Sequence, residues 1–400
     1  MTQQARQNQQ ERVVIVGGGP GGISAARAYR DTGGTGHVTL LAGEQHPPYR
    51  RPPLTKEYLR GELERDELPM QPATWFQENG VELRPATPAS YLDAGRGVVG
   101  VEGGDEIPYD ACVLATGSEP IRPPIPGAED PEVLTMRTVE DSTSLSWLAA
   151  NGNSVIVVGS GFIGCEAAAS LAMRGAEVTV VSLDELPQGA LLGEEAGGRI
   201  RHWLEEYGVR LRLGAEVEKI SRSEKGFEVA LGGGEPLASG AVLLGTGARP
   251  RLEIAQNAGL TVEPGGILAD AAMRTEAPGV YAVGDISYAY NPSAGRRLHV
   301  EHWGEALSMG SVAGTVMAGG EARWDTAPGF WSTIGGRTIK YTAWGDGSDE
   351  AKFVPHDGSE ESFTVWYGRE DICVGVLTHN FDKDYEEGRQ LVESGAPMPV

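Results

Sequence analysis

The sequence predicts an α/β protein: two parallel, doubly wound units followed by a C-terminal α+β region. Three observations carry this expectation. A β-branched strand near the N-terminus runs directly into a glycine-rich turn and then an alanine-rich helix. The same grammar returns from Ser154 onward. Beyond Gly319-Gly320 the pattern changes to aromatic-rich, strand-like segments closed by a helical stretch.

Arg12 to Val16 (RVVIV) has the continuous apolar character of a strand buried on both faces. It enters Gly17-Gly18-Gly19-Pro20-Gly21-Gly22, and Ile23 to Arg30 then reads as helix. His37 to Leu41 (HVTLL) is the second strand and ends shortly before Glu44, which completes a βαβ unit. Ala111 to Leu114 is a further strand with the turn Ala115-Thr116-Gly117-Ser118. The proline-rich Pro120 to Pro126 suits a crossing between domains. Ser154 to Val158 begins the second unit, with the turn Gly159-Ser160-Gly161-Phe162-Ile163-Gly164, a helix over Cys165 to Arg174 and a strand over Glu177 to Val181. Ala241 to Leu244 and Gly245-Thr246-Gly247 close it. In the last region Phe330, Trp331, Tyr341, Trp344, Phe363, Trp366 and Tyr367 mark strands, and Asp384 to Ser394 marks a helix.

Composition narrows the function. Four hundred residues exceed one ordinary core, so two or three domains are expected. With 57 glycines the chain should contain many tight turns and places where backbone meets a ligand. A net charge of −23 excludes a phosphate-backbone binder, and no apolar run is long enough to span a membrane. Cys112, Cys165 and Cys373 are too far apart to form a C-x-x-C pair, and the histidines lack metal-ligand spacing, so no metal site is expected. Residues 1–10 read as a disordered tail without a signal-peptide core, which points to a cytoplasmic protein.

A G-x-G-x-x-G turn between strand and helix lets backbone amides approach a pyrophosphate lying at the helix N-terminus. Gly17, Gly19 and Gly22, with Pro20, fit the first such turn; Gly159, Gly161 and Gly164, with Ile163, fit the second. An acidic ribose partner is expected roughly 20 residues downstream, and Glu44 occupies that place. In the second unit Ser182 stands there instead, with Asp184 and Glu185 just beyond and no arginine at 182–185 to hold a 2′-phosphate. NADH is therefore the expected donor and NADPH the alternative. The plain alternative for Asp184 and Glu185 is a pair of solvated loop charges.

With these residues in place the chain resembles the two-dinucleotide-domain flavoprotein reductases, which are glutathione-reductase-like in fold, and within them the ferredoxin/rubredoxin/putidaredoxin reductase group. The resemblance covers about residues 11 to 395. Tyr49-Arg50-Arg51-Pro52-Pro53-Leu54-Thr55-Lys56 is similar to the group's Y-x-R-P-P-L-S-K, and Thr275 to Asp285 (TEAPGVYAVGD) is similar to its second FAD motif. Ala115-Thr116-Gly117, Gly164-Cys165-Glu166, Glu301-His302-Trp303 and Phe330-Trp331-Ser332 follow in the expected order.

The resemblance implies an FAD set of Gly17, Gly19, Pro20, Gly22, Glu44, Arg51, Lys56, Ala89, Ala115, Thr116, Gly117, Gly284, Asp285, Glu301, His302 and Trp303. It implies an NAD set of Gly159, Gly161, Ile163, Gly164, Glu166, Ser182 and Gly247. Asp285 would bond the ribityl chain, Arg51 would line the FAD phosphate or ribityl region, and Trp303 would cover the flavin pyrimidine end. Lys56 would lie by flavin N5 and pair with Glu166 at the opening of the NAD-domain helix. Lys56, Glu166 and Trp331 are the implied catalytic residues, Trp331 standing between flavin and an iron–sulfur partner. The plain alternatives are a surface lysine, a helix N-terminal glutamate and an interface-packing tryptophan.

Disulfide reductases of this fold carry a redox cysteine pair within what is here Pro47 to Leu59, and that stretch has no cysteine. Two departures from the group stand out: its S-D-Q is here Ser332-Thr333-Ile334, and the acidic surface repels acidic carriers at long range. Arg296-Arg297 could supply a local basic contact, or be solvated loop residues. The expected layout is an FAD domain over 11–119 and 248–320, an NAD(P) domain over 120–247 and a C-terminal ferredoxin-reductase-like domain over 321–400. The expected function is electron transfer from NADH through FAD to a ferredoxin-type iron–sulfur protein serving an oxygenase or P450, by a monomer or homodimer. The alternatives are an NAD(P)H oxidase and an NADH-responsive redox sensor.

Overall fold

The computed structural model describes residues 11–356 and 358–399, so the tail expected over residues 1–10 lies outside it. Contacts divide the chain into two units. The first takes in residues up to 50 with 69–118 and 250–329; the second takes in 51–68, 119–249 and 330–400. The stretch 51–68, which the sequence assigns to the FAD portion, thus falls with the second unit. Its side-chain bonds explain why: Ser142 Oγ donates to the Leu54 carbonyl at 2.6 Å and Ser170 Oγ to the Thr55 carbonyl at 2.6 Å.

The first unit is built on a five-stranded parallel sheet in the order Val280–Ala282, Ala111–Leu114, Arg12–Val16, His37–Leu41, Val81–Arg84. Val13 to Val16 and Val38 to Leu41 are buried, as strands covered on both faces should be. Each buried Val or Leu side chain contributes about 1.5–3 kcal/mol on leaving water. The helix Pro20–Asp31 begins three residues before its expected start, because proline suits the first helical position, where no N–H is needed. It packs on the helix Trp303–Met317, and a Cβ at Gly310 would lie 2.2 Å from the Gly21 carbonyl oxygen, so the two backbones touch. Two small sheets complete the unit, an antiparallel one over residues 89–108 and a four-stranded one over residues 262–299. Arg296 and Arg297 lie exposed on the strand Arg296–His299 of the latter, not in a loop.

The second unit repeats the arrangement with four parallel strands in the order Arg210–Arg212, Val178–Val181, Val155–Val158, Ala241–Leu244. The helix that follows its glycine turn is Phe162–Met173. The C-terminal region forms an antiparallel sheet ordered Gly329–Ile334, Arg337–Ala343, Ile372–His379, Ser359–Arg369, Glu350–His356. Trp344 falls just past the end of a strand rather than within one. The last helix, Asp382–Ser394, has Asp382 and Asp384 in its first turn, where the helix dipole favours them, and ends at Gly395 in the left-handed conformation with φ 62°.

Candidate cofactor and electron-transfer site

In each parallel sheet the strand order reverses beside the first strand of the unit: between Arg12–Val16 and Ala111–Leu114, and between Val155–Val158 and Ala241–Leu244. Crevices at such reversals, beyond the carboxyl ends of the strands, are where open α/β sheets bind ligands. Both glycine turns stand there. A Cβ on Gly17 would lie 2.1 Å from the Ala115 carbonyl oxygen, and one on Gly22 would lie 2.0 Å from the Gly17 carbonyl oxygen. In the second unit Gly159 would meet the Gly245 carbonyl oxygen at 2.4 Å and Gly164 the Gly159 carbonyl oxygen at 2.3 Å. The outer glycines are therefore demanded by packing. The middle ones are not: a Cβ on Gly19 meets nothing within 4 Å, and one on Gly161 meets only atoms at 3.7 Å.

Gly19 and Gly161 are the N-caps of the two helices; neither has a side-chain cap, and neither helix has an acidic residue in its first turn. An open approach, uncapped amides and no competing carboxylate fit a dinucleotide pyrophosphate at each position. The residues present thus fit both FAD and NAD(P)H.

Around the first turn, Glu44 accepts a hydrogen bond from Tyr49 Oη. Thr116 Oγ1 donates to the Arg251 carbonyl at 2.8 Å, and Gly117 takes a left-handed φ of 65°. Gly284 opens the short 3₁₀ turn Gly284–Ile286 with φ 70°. Asp285 accepts from Ser118 Oγ at 2.8 Å, while its carbonyl meets His299 Nε2 at 2.8 Å. Ser118 was not among the expected residues; it is simply the residue after the Ala115-Thr116-Gly117 turn. Glu301 is exposed, His302 caps the Trp303–Met317 helix, and Trp303 is its first residue. Burial lowers the His302 imidazole to about 4 against an opposing pull from Asp285, so it is neutral at pH 7. Ala89 lies half-buried on the strand Ala89–Asp93.

In the second unit Ser160 Oγ donates to Ser182 Oγ at 2.8 Å, and the Asp184 amide donates to Ser182 Oγ at 3.2 Å. Ile163, in the first turn of its helix, is 44% exposed, unusual for isoleucine and apt for an apolar ligand face. Gly247 is left-handed with φ 95°. Arg51 belongs to this unit and its Nη1 donates to the Arg137 carbonyl at 2.7 Å.

The centre of the second unit is a buried ion pair. Lys56 Nζ donates to Glu166 Oε2 at 2.5 Å, with side chains only 8% and 5% exposed, so Lys56 is not the surface lysine of the plain alternative. Glu166 is the fifth residue of its helix, one turn inside rather than at its opening. Thr55 Oγ1 donates to the same oxygen at 2.5 Å; Ser332 Oγ donates to Oε1 at 2.7 Å and the Thr333 amide at 3.2 Å. Lys56 Nζ also donates to the Pro52 carbonyl at 3.0 Å and to Thr55 Oγ1 at 3.3 Å. Thr55 and Ser332 were legible only as parts of longer motifs, since a hydroxyl gives no sign in sequence of the carboxylate it serves.

Ser332 reaches Glu166 because the strand Gly329–Ile334 alternates: Phe330, Ser332 and Ile334 turn in, and Trp331 turns out, 43% exposed. Phe330 packs edge-on against Phe162 of the second glycine turn, ring centroids 4.7 Å apart. The three cysteines are free and buried, and burial raises the thiols of Cys112, Cys165 and Cys373.

Residues 11–310 match the family described as pyridine nucleotide-disulphide oxidoreductase. The chain belongs to that family. Within the oxidoreductases it falls in the ferredoxin, rubredoxin and putidaredoxin reductase group. It is 31% identical to ferredoxin–NAD(P)(+) reductase of Sphingomonas sp, covering 96% of this chain and 93% of that one. It is 30% identical to human (Homo sapiens) apoptosis-inducing factor 3 over 96% of this chain, but spans only 63% of that relative's length. The structure of the covalent putidaredoxin reductase–putidaredoxin complex matches with TM-score 0.91 at 26% identity, covering 98% of this chain and 94% of that one. No cysteine lies within 47–59 of this oxidoreductase, so the disulfide half of the family description has no counterpart there. Among the described residues no helix is long and apolar enough to cross a membrane.

Proposed function

We propose that this oxidoreductase passes electrons from NADH through FAD to a ferredoxin-type iron–sulfur protein that serves an oxygenase or P450. The observation that carries the reading is the pair of dinucleotide cradles, each with an open middle glycine, in a chain whose cysteines are all buried away from redox use. FAD, when bound, supplies the conversion between two-electron hydride chemistry and single-electron release.

The chain's own residues hold and tune that chemistry. The free N–H groups of the first helical turn past Pro20, which itself has none, bind the FAD pyrophosphate, Glu44 the ribose and Asp285 the ribityl side. In this reading FAD lies on residues 11–119 and 248–320, of which 51–68 group with the second unit, and NADH on 120–247, while 321–400 present Trp331 to the acceptor. The amides behind Gly161 bind the NADH pyrophosphate, with the apolar Ile163 beside it. Glu166 neutralises and aims Lys56, so that a fixed cation stabilises the negative charge that arrives with hydride. The relatives support the acceptor class: the names of two include a ferredoxin or putidaredoxin reductase.

The test is turnover by purified, FAD-loaded protein with NADH and a [2Fe–2S] ferredoxin. Trp331→Ala should cut ferredoxin reduction about tenfold or more while ferricyanide reduction stays near wild type, because only the protein acceptor needs an aromatic anchor. Full turnover sustained by oxygen alone would sink the reading.

Donor choice follows from the second ribose site. Ser182 is buried with its hydroxyl engaged, and Asp184 and Glu185 are exposed just beyond it. Arg249 is tied to Glu119 at 2.6 Å. Arg212 is exposed beside Val181, its register partner. NADH should exceed NADPH in kcat/KM by about tenfold or more, since two nearby carboxylates repel the extra phosphate. A preference for NADPH that Arg212→Ala abolishes would assign that arginine to the phosphate instead.

A further inference from the structure

We propose that Ser332 is a positioning residue for the hydride step, acting through Glu166 on Lys56; this rests on the reductase reading above. A carboxylate offers about four acceptor sites and an ammonium three donors. In this unit all of them are engaged. Glu166 Oε2 takes Lys56 and Thr55, and Oε1 takes Ser332 and the Thr333 amide. The three donors of Lys56 go to Glu166, Thr55 and Pro52. Such a closed network leaves the carboxylate one orientation, and with it the ammonium.

The two oxygens are held from different parts of the chain. Thr55 is Lys56's own neighbour and moves with it. Ser332 comes from the strand Gly329–Ile334 and is the only side-chain donor on Oε1 among the described contacts. It is itself 1% exposed, so no water replaces it without a cavity being made. Loss of its hydroxyl would leave Oε1 with the longer amide bond at 3.2 Å. The carboxylate could then turn about its terminal torsion and take Lys56 with it. Displacements of about 1 Å in a catalytic group cost up to roughly a hundredfold in rate. Ser332 is also the residue next to Trp331, so one short strand both fixes the hydride pair and exposes the aromatic residue.

The experiment is rapid mixing of the FAD-loaded protein with NADH, resolving the limiting rate constant of flavin reduction from the Kd of NADH. Ser332→Ala should lower the rate constant about tenfold while Kd and FAD content stay within about twofold. Ser332→Thr should restore the rate. Ser332→Cys keeps a weaker donor of similar size and should fall between, which covers a destabilised alanine variant. In a Lys56→Met background Ser332→Ala should cost nothing further, because its effect runs through the ammonium. A rate constant within twofold of wild type, or an equal loss in both backgrounds, overturns the inference while leaving the reductase reading intact. A wild-type protein that binds FAD but is not reduced by NADH overturns both.

Discussion

Lys56→Met should slow NADH-driven flavin reduction by about 10²–10³-fold, the usual cost of removing one fixed charge aimed at developing negative charge. The same change removes the only cation that, among the described residues, is bonded to a carboxylate 5% exposed. Breaking a buried pair by deleting one partner typically costs about 3–5 kcal/mol, because the remaining charge is stranded. The variant should therefore be both slow and less stable, and the two losses need separating. Lys56→Met with Glu166→Gln removes both charges together, so most of the stability should return. The rate should not, because no cation is restored. Thermal melting and single-turnover reduction, run on the single and double variants, read these effects apart. A double variant that regained the rate along with the stability would make the pair purely structural.

The sequence made the two parallel units legible because their signals are local. Arg12–Val16, His37–Leu41, Ala111–Leu114 and Ala241–Leu244 begin and end where β-branched runs meet turn residues. The helix starts were harder. Phe162 is helical three residues before Cys165, where the apolar pattern begins, because the turn's glycine serves as N-cap and carries no side-chain signal. What lay out of reach was long-range. The grouping of residues 51–68 with the second unit depends on Ser142 and Ser170 meeting backbone carbonyls about a hundred residues away. The carboxylate of Glu166 is set by Thr55 and Ser332, 111 and 166 residues distant, and single hydroxyls have no periodicity to announce them. Arg296 and Arg297 looked like loop residues because two adjacent arginines break strand alternation, yet one edge of that small sheet faces water and tolerates both.

The glycine turns give the sharpest contrast the structure offers. At Gly22 an added Cβ would sit 2.0 Å from the Gly17 carbonyl oxygen, and at Gly164 2.3 Å from that of Gly159. Those obstacles are backbone and cannot rotate away. Gly22→Ala should cost about 3 kcal/mol or more, with loss of soluble, FAD-binding protein. Gly19 differs in both respects: its φ of −79° suits any residue, and its Cβ would meet no chain atom within 4 Å. Gly19→Ala should leave the melting temperature of the FAD-free protein near wild type and weaken FAD affinity about tenfold or more, because only a bound pyrophosphate occupies the space the methyl enters. Gly161, with φ −68°, is the matching position of the second unit. Gly161→Ala should stay yellow with full FAD, and raise the Kd for NADH by a similar factor. The two alanines thus separate the two nucleotides on one chain, each read by its own titration. Wild-type FAD affinity in Gly19→Ala would place the pyrophosphate somewhere other than the first helix N-terminus, and the assignment of the two cradles would have to be redrawn from there.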